Sequence, residues 1–345
     1  MPSGRRGGGR PGPTGRPARR LMVLLLTDIE AARERCAPYV DETPTIASPR
    51  LSAELGTDVR LKLEFRQVTG SFKPRGAVNS ILLLSDKERS RGVCGASGGN
   101  FAIGLAYASS RLGVDALLFM PERTPRSYLD ATAAHGATIE LVPDIVTALR
   151  SAEEAGEAGR TFLHPFDGAP MMTGNAGLGL ELMDQHPATT DVVVSVGGGG
   201  LYAGVASALA GRRPDIRVWT VETAGADVLG LSLAAGHMVR MLPTSHARTL
   251  GSPTVAEAAW ALATSGTPSG AGHTVVSDGD ALRCLLDLRD ELGDLVELAA
   301  SSTLAAARRL GGRLGESVVL ILCGGNITGD ELTGLRAELG VRPAP

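Results

Sequence analysis

Aromatic residues are scarce, 3% of 345, so the chain has no store of stacking platforms for bases. It also lacks an excess of either charge. Lys and Arg number 34 against 37 Asp and Glu, a formal net charge of -3. That balance leaves no electrostatic footprint for nucleic acid or an anionic membrane. The four cysteines, Cys36, Cys94, Cys284 and Cys323, are far apart and form no CxxC pair, which argues against a disulfide framework and a zinc site. The six histidines show neither HExxH nor paired spacing, so metal-assisted hydrolysis has no support. No apolar run approaches the ~18–20 residues of a membrane span. What remains is a globular composition, 43% apolar and 21% charged, long enough for two domains or one large one and expected in a reducing, cytoplasmic compartment.

Residues 1–21 are mostly Gly, Pro and Arg and are expected to be disordered, having almost nothing to bury. The LMVLLL run after them is too short for a signal-peptide core, and Met22 offers an alternative start. Beyond it, VRLKLE (59–64), DALLFM (115–120), ATIELV (137–142), DVVVSV (191–196), IRVWTV (216–221), HTVVS (273–277) and SVVLILC (317–323) read as strands. Several are apolar on both faces, as parallel strands covered by helices are. Between them 101–113, 125–136, 201–211 and 280–293 read as helices with glycine endings suited to C-caps. This alternation predicts an α/β protein with mostly parallel sheets.

Four stretches carry chemistry. In TGSFKPRGA (69–77), Pro74 pushes Lys73 out of helical geometry and itself suits a helix start. Lys73 then faces the positive end of a helix running to about Leu84, which favours a neutral, nucleophilic amine; an ordinary solvated lysine is the alternative. SGGN (97–100) opens the next helix and offers backbone N–H groups and a hydroxyl to a carboxylate or phosphate, or is a plain turn. DVVVSV feeds Gly197, Gly198, Gly199, Gly200 and Leu201, a recipe for holding a phosphate. Gly198, Gly200 and Ala203 also match GxGxxA, with Glu222 about twenty residues on, the pattern of a dinucleotide site. The owner of the phosphate is therefore open. Finally, Cys323 ends an apolar strand and is followed by two glycines that leave room against its sulfur.

Together these motifs resemble the serine/threonine dehydratase family of pyridoxal-phosphate enzymes, of fold type II. The likeness runs from about Asp28 to Leu335 and includes TP (43–44), RLS (50–52), SFKPRGA, SGGN, HPFD (164–167), GGGGL, VET (221–223) and CGGN (323–326). SHARTLG (245–251) and Cys323 bring it nearest to the L-serine dehydratase/L-threonine deaminase branch. The resemblance implies two α/β domains with mostly parallel sheets and pyridoxal 5'-phosphate between them. A small substrate-gripping domain would occupy 85–168, inserted in a large cofactor-binding domain of 22–84 and 169–345. By this resemblance Lys73 is the Schiff-base lysine and catalytic group, and Phe72 lies beside the ring. Asn100 would bind the ring hydroxyl, Gly197 to Leu201 the phosphate, and Cys323 would face the pyridine nitrogen. Ser97, Gly98, Gly99, Asn100 and Asn175 would contact the substrate.

The implied activity is α,β-elimination of a β-hydroxy amino acid to a 2-oxo acid and ammonia, in a homodimer with no nucleic-acid or membrane partner. Departures qualify it. Gly98 stands where racemases of this fold carry a serine acid, which disfavours racemisation. Phe101, Gly174-Asn175-Ala176 and Glu297-Leu298-Ala299-Ala300 depart from the usual patterns. Val228 replaces an acid that partners Glu222 in a divalent-cation site, so no magnesium site is expected, though a monovalent cation would still fit. No regulatory domain follows, so isoleucine feedback is not expected. The alternatives are β-replacement or elimination on an unusual β-substituted amino acid, an NAD-binding oxidoreductase built on 198–222, and an inactive amino-acid sensor.

Overall fold

All seven expected strand segments form strands in the computed structural model, which describes residues 24–341. The tail over 1–21 and Met22 lie outside the described residues. The strands are β1 (Thr45–Ala47), β2 (Asp58–Lys62), β3 (Val93–Ala96), β4 (Ala116–Pro121), β5 (Thr138–Val142), β6 (Thr161–Phe162), β7 (Asp191–Ser195), β8 (Arg217–Thr223), β9 (Gly272–Val276) and β10 (Ser317–Ile321). The three not anticipated, β1, β3 and β6, have two to four residues, too few for a periodic pattern to register.

The strands form two sheets. One has the order β1-β2-β10-β7-β8-β9 and the other β5-β4-β3-β6. Every pairing is parallel except β1 with β2. In the larger sheet Leu320 of β10 stands between Leu61 and Val193. All residues of β7 and β10 are buried, because helices cover both faces of a parallel sheet. The smaller sheet is lighter, and its edge strand β5 has no buried residue.

Helix boundaries bring two corrections. The helix Lys73–Leu82 begins at Lys73 and places Pro74 second. Pro74 lacks only an N–H that the first turn leaves unbonded anyway, and the local steric bias against a helical residue before proline is overridden. The helix Gly200–Arg212 runs through Gly211 without a glycine cap. A Cβ at Gly211 would lie 3.2 Å from Leu26, so this glycine serves close packing. Gly113 and Gly293, by contrast, are left-handed C-caps with φ of 66° and 71°, as their helices required.

A buried set of charges secures the start of the Lys73–Leu82 helix. Arg75 donates to both oxygens of Glu64 (2.8 and 2.8 Å) and of Glu181 (2.5 and 2.8 Å). Lys62 donates to Glu181 at 2.7 Å and to the Thr43 carbonyl at 2.5 Å. Two cations and two carboxylates cancel, which is how charges survive burial. The chain leaving the C-terminal ends of β3, β7 and β10 enters the Ser97, Gly197 and Cys323 loops, and ligands of open α/β sheets gather beyond such ends.

Candidate active site

One cavity of about 590 Å³ is lined by Phe72, Lys73, Ser97, Gly98, Gly99, Asn100, Asn175, Gly197, Gly198, Gly199, Gly200, Leu201 and Cys323. Its size falls within the ~300–1,000 Å³ of small-molecule sites. Every site residue singled out from the sequence thus borders the same space, although the segments that contribute them lie in different sheets.

Lys73 projects into this space. Its Nζ donates to the Pro165 carbonyl at 2.6 Å and lies 5.1 Å from the Phe72 ring centre and 5.6 Å from that of Phe101. No carboxylate pairs with it among the described residues. Burial therefore acts almost unopposed and lowers its pKa to about 8, since desolvation penalises the charged amine. The backbone of Lys73 is approached by Gly104, where a Cβ would lie 3.0 Å from that of Lys73 and 3.1 Å from its carbonyl carbon. Nearby His164 is driven down to about 4 by burial and stays neutral.

The glycine loop is shaped by Phe166 of the HPFD segment. A Cβ on Gly198 would fall 2.1 Å from the Phe166 ring, and one on Gly200 2.2 Å from its carbonyl oxygen. Gly199 has a φ of 88°, a left-handed conformation that glycine adopts without strain. Side chains are excluded here for steric reasons, and the bare backbone N–H groups at the head of the Gly200–Arg212 helix are left to face an anion. The dinucleotide alternative fails at its acid. Glu222 is fully buried and accepts the N–H groups of Leu229 (3.0 Å) and Gly230 (2.8 Å), so it cannot reach a ribose.

The SGGN and CGGN segments meet. Asn100 accepts from Asn326 Nδ2 at 2.7 Å and donates to Glu297 at 2.9 and 3.1 Å. Glu297 also accepts from Thr249 Oγ1 at 2.7 Å and the Asn326 N–H at 2.9 Å. Burial raises the pKa of this carboxyl. Gly324 makes room for it, since a Cβ there would lie 2.8 Å from Glu297 Oε1. Cys323 is buried within 3.4 Å of Ser195 Oγ, and burial pushes its thiol up to about 12. Asn175 is buried, its Nδ2 3.5 Å from the Gly200 carbonyl.

Sequence reasoning missed Glu297, Asn326, Ser195, Pro165 and Phe166 as participants. Asn326, Pro165 and Phe166 sat inside quoted motifs whose remaining residues were given no task. Glu297 was read only as part of an altered turn. The structure places it at the N-cap of the Leu298–Leu310 helix, with its carboxylate turned to Asn100.

The family described as pyridoxal-phosphate dependent enzyme matches residues 37–324. The chain belongs to that family. Its residues fit the cofactor: a neutral-tending lysine, a glycine cradle that any Cβ would obstruct, and a hydroxyl and a protonated thiol at and just past the ends of β7 and β10. The chain is 42% identical over 203 residues to the catabolic L-threonine dehydratase of Staphylococcus aureus (strain N315), a match over 58% of this chain and 59% of that protein. Among solved structures, a T.th. threonine deaminase aligns with a TM-score of 0.80 at 34% identity, covering 88% of this chain and 99% of the other. Maize serine racemase aligns with a TM-score of 0.84 at 28% identity, covering 92% and 98%. The two structural likenesses cover about nine-tenths of the chain. No described helix is long and apolar enough to cross a membrane.

Proposed function

We propose that this protein eliminates the β-hydroxyl of L-serine or L-threonine, releasing a 2-oxo acid and ammonia. The observation that carries the reading is Lys73, a half-buried amine with one carbonyl acceptor and no carboxylate partner among the described residues, lining the same cavity as the glycine cradle. Pyridoxal phosphate, when bound, supplies the electron sink that makes the α-proton of an amino acid removable.

The chain's own groups do the rest. The N–H groups of Gly197 to Leu201 would hold the phosphate, and Phe72 would flank the ring. Asn100, held by Glu297 and Asn326, would offer its amide to the ring oxygen. Cys323 and Ser195 would offer the ring nitrogen weak, uncharged partners, a setting that favours elimination over racemisation or transamination. Lys73 Nζ, uncharged, accepts the α-proton. Ser97, Gly98, Gly99 and Asn100 receive the substrate carboxylate. Gly98 has no side chain to return a proton on the side away from Lys73, which sets racemisation below elimination. The parts divide into a gripping domain over 85–168 and a cofactor domain over 22–84 and 169–345, in a cytoplasmic homodimer.

The test is the visible absorbance of the protein carrying pyridoxal phosphate, recorded before and after L-serine and L-threonine, with 2-oxo acid measured alongside. A shifted band with product accumulating is expected. A shift without product would move the reading to another β-substituted amino acid. No band after addition of pyridoxal phosphate would overturn it.

A further inference from the structure

Thr124 carries a hydroxyl left without a partner among the described residues. It follows β4 and lines the cavity together with Ser97, Gly98 and Gly99. Only 8% of the residue is exposed, and its Oγ1 is buried without a hydrogen-bond partner among the described residues. A buried hydroxyl of this kind is expected to have a partner.

Its position says what that partner is. A Cβ built on Gly98 would lie 3.0 Å from Thr124 Oγ1, so the hydroxyl rests directly against the loop that opens the Asn100–Leu112 helix. The first N–H groups of a helix lack intrahelical acceptors and carry partial positive charge. A hydroxyl beside them, with no acceptor of its own, is a further donor aimed at the same anion. Thr124 is also held still. Its N–H donates to the Pro121 carbonyl at 2.9 Å, Pro125 follows and restricts its backbone, and its β-branch restricts χ1. Ser97 Oγ accepts the Gly99 N–H at 3.0 Å and keeps its own O–H to donate, so Thr124 would add a second hydroxyl donor beside it.

We propose that Thr124 Oγ1 donates a hydrogen bond to the α-carboxylate of the bound amino acid, completing the anion site begun by the Ser97–Asn100 loop. The inference rests on the amino-acid reading above and adds a substrate-binding residue to it. Because a hydroxyl bonded to a charged group contributes more than a neutral pair, its loss is expected to weaken binding about ten-fold or more.

The holoenzyme is titrated with L-alanine, which has the carboxylate and no leaving group, and with L-alaninamide, which lacks the carboxylate; the cofactor's visible band reports binding. In Thr124→Val the Kd for L-alanine is expected to rise about ten-fold, with that for L-alaninamide unchanged. Thr124→Ser is expected to restore the wild-type value, and cofactor occupancy stays equal in all three proteins. Thr124→Ala takes the place of Thr124→Val should valine not fold. Equal L-alanine affinity in wild type and variant overturns the assignment while leaving the amino-acid reading intact. A loss seen with L-serine but not L-alanine would place the hydroxyl on the β-substituent and overturn it too. So would D-serine formation by the wild type that Thr124→Val abolishes, since the hydroxyl would then be an acid on the far side of Cα. A wild-type band that responds to no amino acid would remove the amino-acid reading and this inference together.

Discussion

Two lysines eleven positions apart are both drawn in from the surface, Lys62 completely and Lys73 in part, and their surroundings part company at once. Lys62 is fully buried, with Glu181 at 2.7 Å, the Thr43 carbonyl at 2.5 Å and Gln185 Oε1 at 3.3 Å. Its three donors have three acceptors, one of them a carboxylate. Lys73 has the Pro165 carbonyl alone, at 2.6 Å, and aromatic rings for neighbours. Burial lowers both pKa values; around Lys62 the carboxylates of Glu64 and Glu181 oppose it. A buried ammonium with compensation stays an ion and fastens the fold. One without compensation tends to lose its proton and become a nucleophile and base.

The largest expected effect comes from exchanging the reactive lysine. On the proposed function Lys73→Ala removes both the attachment point and the base, so turnover should fall about a thousand-fold or more, with the visible cofactor band lost and the circular dichroism unchanged. The mirror experiment is Lys62→Met. It leaves Glu181 and Glu64 sharing Arg75 alone, and breaking a buried pair costs about 3–5 kcal/mol, read by chemical denaturation. If Lys62→Met instead lost activity at unchanged stability, the division between the two lysines would be wrong.

This contrast marks what the sequence could and could not disclose. TGSFKPRGA declared Lys73 because Pro74, Phe72 and two glycines, Gly70 and Gly76, surround it in the chain. The motif was silent on the partners of Arg75, since Glu64 and Glu181 lie 11 and 106 residues away and are ordinary acids in their own segments. Long runs such as DVVVSV and SVVLILC announced β7 and β10, whereas β3 and β6 have four and two residues and are held by sheet pairing. Glycines were legible as glycines, but not why Gly198 must be one. The reason is the ring of Phe166, far earlier in the chain and folded back against the loop. Glu297 was hidden in the same way, its partners being Asn100, Thr249 and Asn326.

The pH dependence sharpens the comparison next. Lys73 in the cofactor-free protein has a pKa near 8, below its ordinary value, so the reactive neutral amine gains population as pH rises through 8. Capture of added pyridoxal phosphate, followed by growth of the visible band, should therefore accelerate from pH 7 to 9 and level off above. A capture rate still climbing steeply above pH 10 would mean that the amine keeps an ordinary lysine pKa.

Glu297→Gln should have a smaller effect. The glutamine keeps the shape and one carbonyl for Thr249 or Asn326 but presents an amide where Asn100 donates. Hydrogen bonds to a charged partner contribute about 1.5–3 kcal/mol, so a fall in kcat/KM of about ten- to a hundred-fold is expected. The cofactor should remain bound, because the Gly197–Leu201 cradle is untouched. Loss of the cofactor would assign Glu297 to the cradle instead.

The smallest effect is expected at Cys323. Its thiol is buried and pushed up to about 12, so it remains protonated across the working range and acts as a weak, neutral partner. Ser195 Oγ stands 3.4 Å from it and can serve the same ring position when the sulfur is removed. Cys323→Ala should therefore lower kcat about five-fold or less, the effect of a hydrogen bond of about 1 kcal/mol, and leave the cofactor attached to Lys73. Ser195→Ala should be similarly mild, and the double variant should lose more than the product of the two, since each group substitutes for the other. A Cys323→Ala loss as deep as that of Lys73→Ala, with fold and cofactor intact, would show that the thiol takes part in proton transfer, and the reactive chemistry would then no longer belong to one uncompensated lysine.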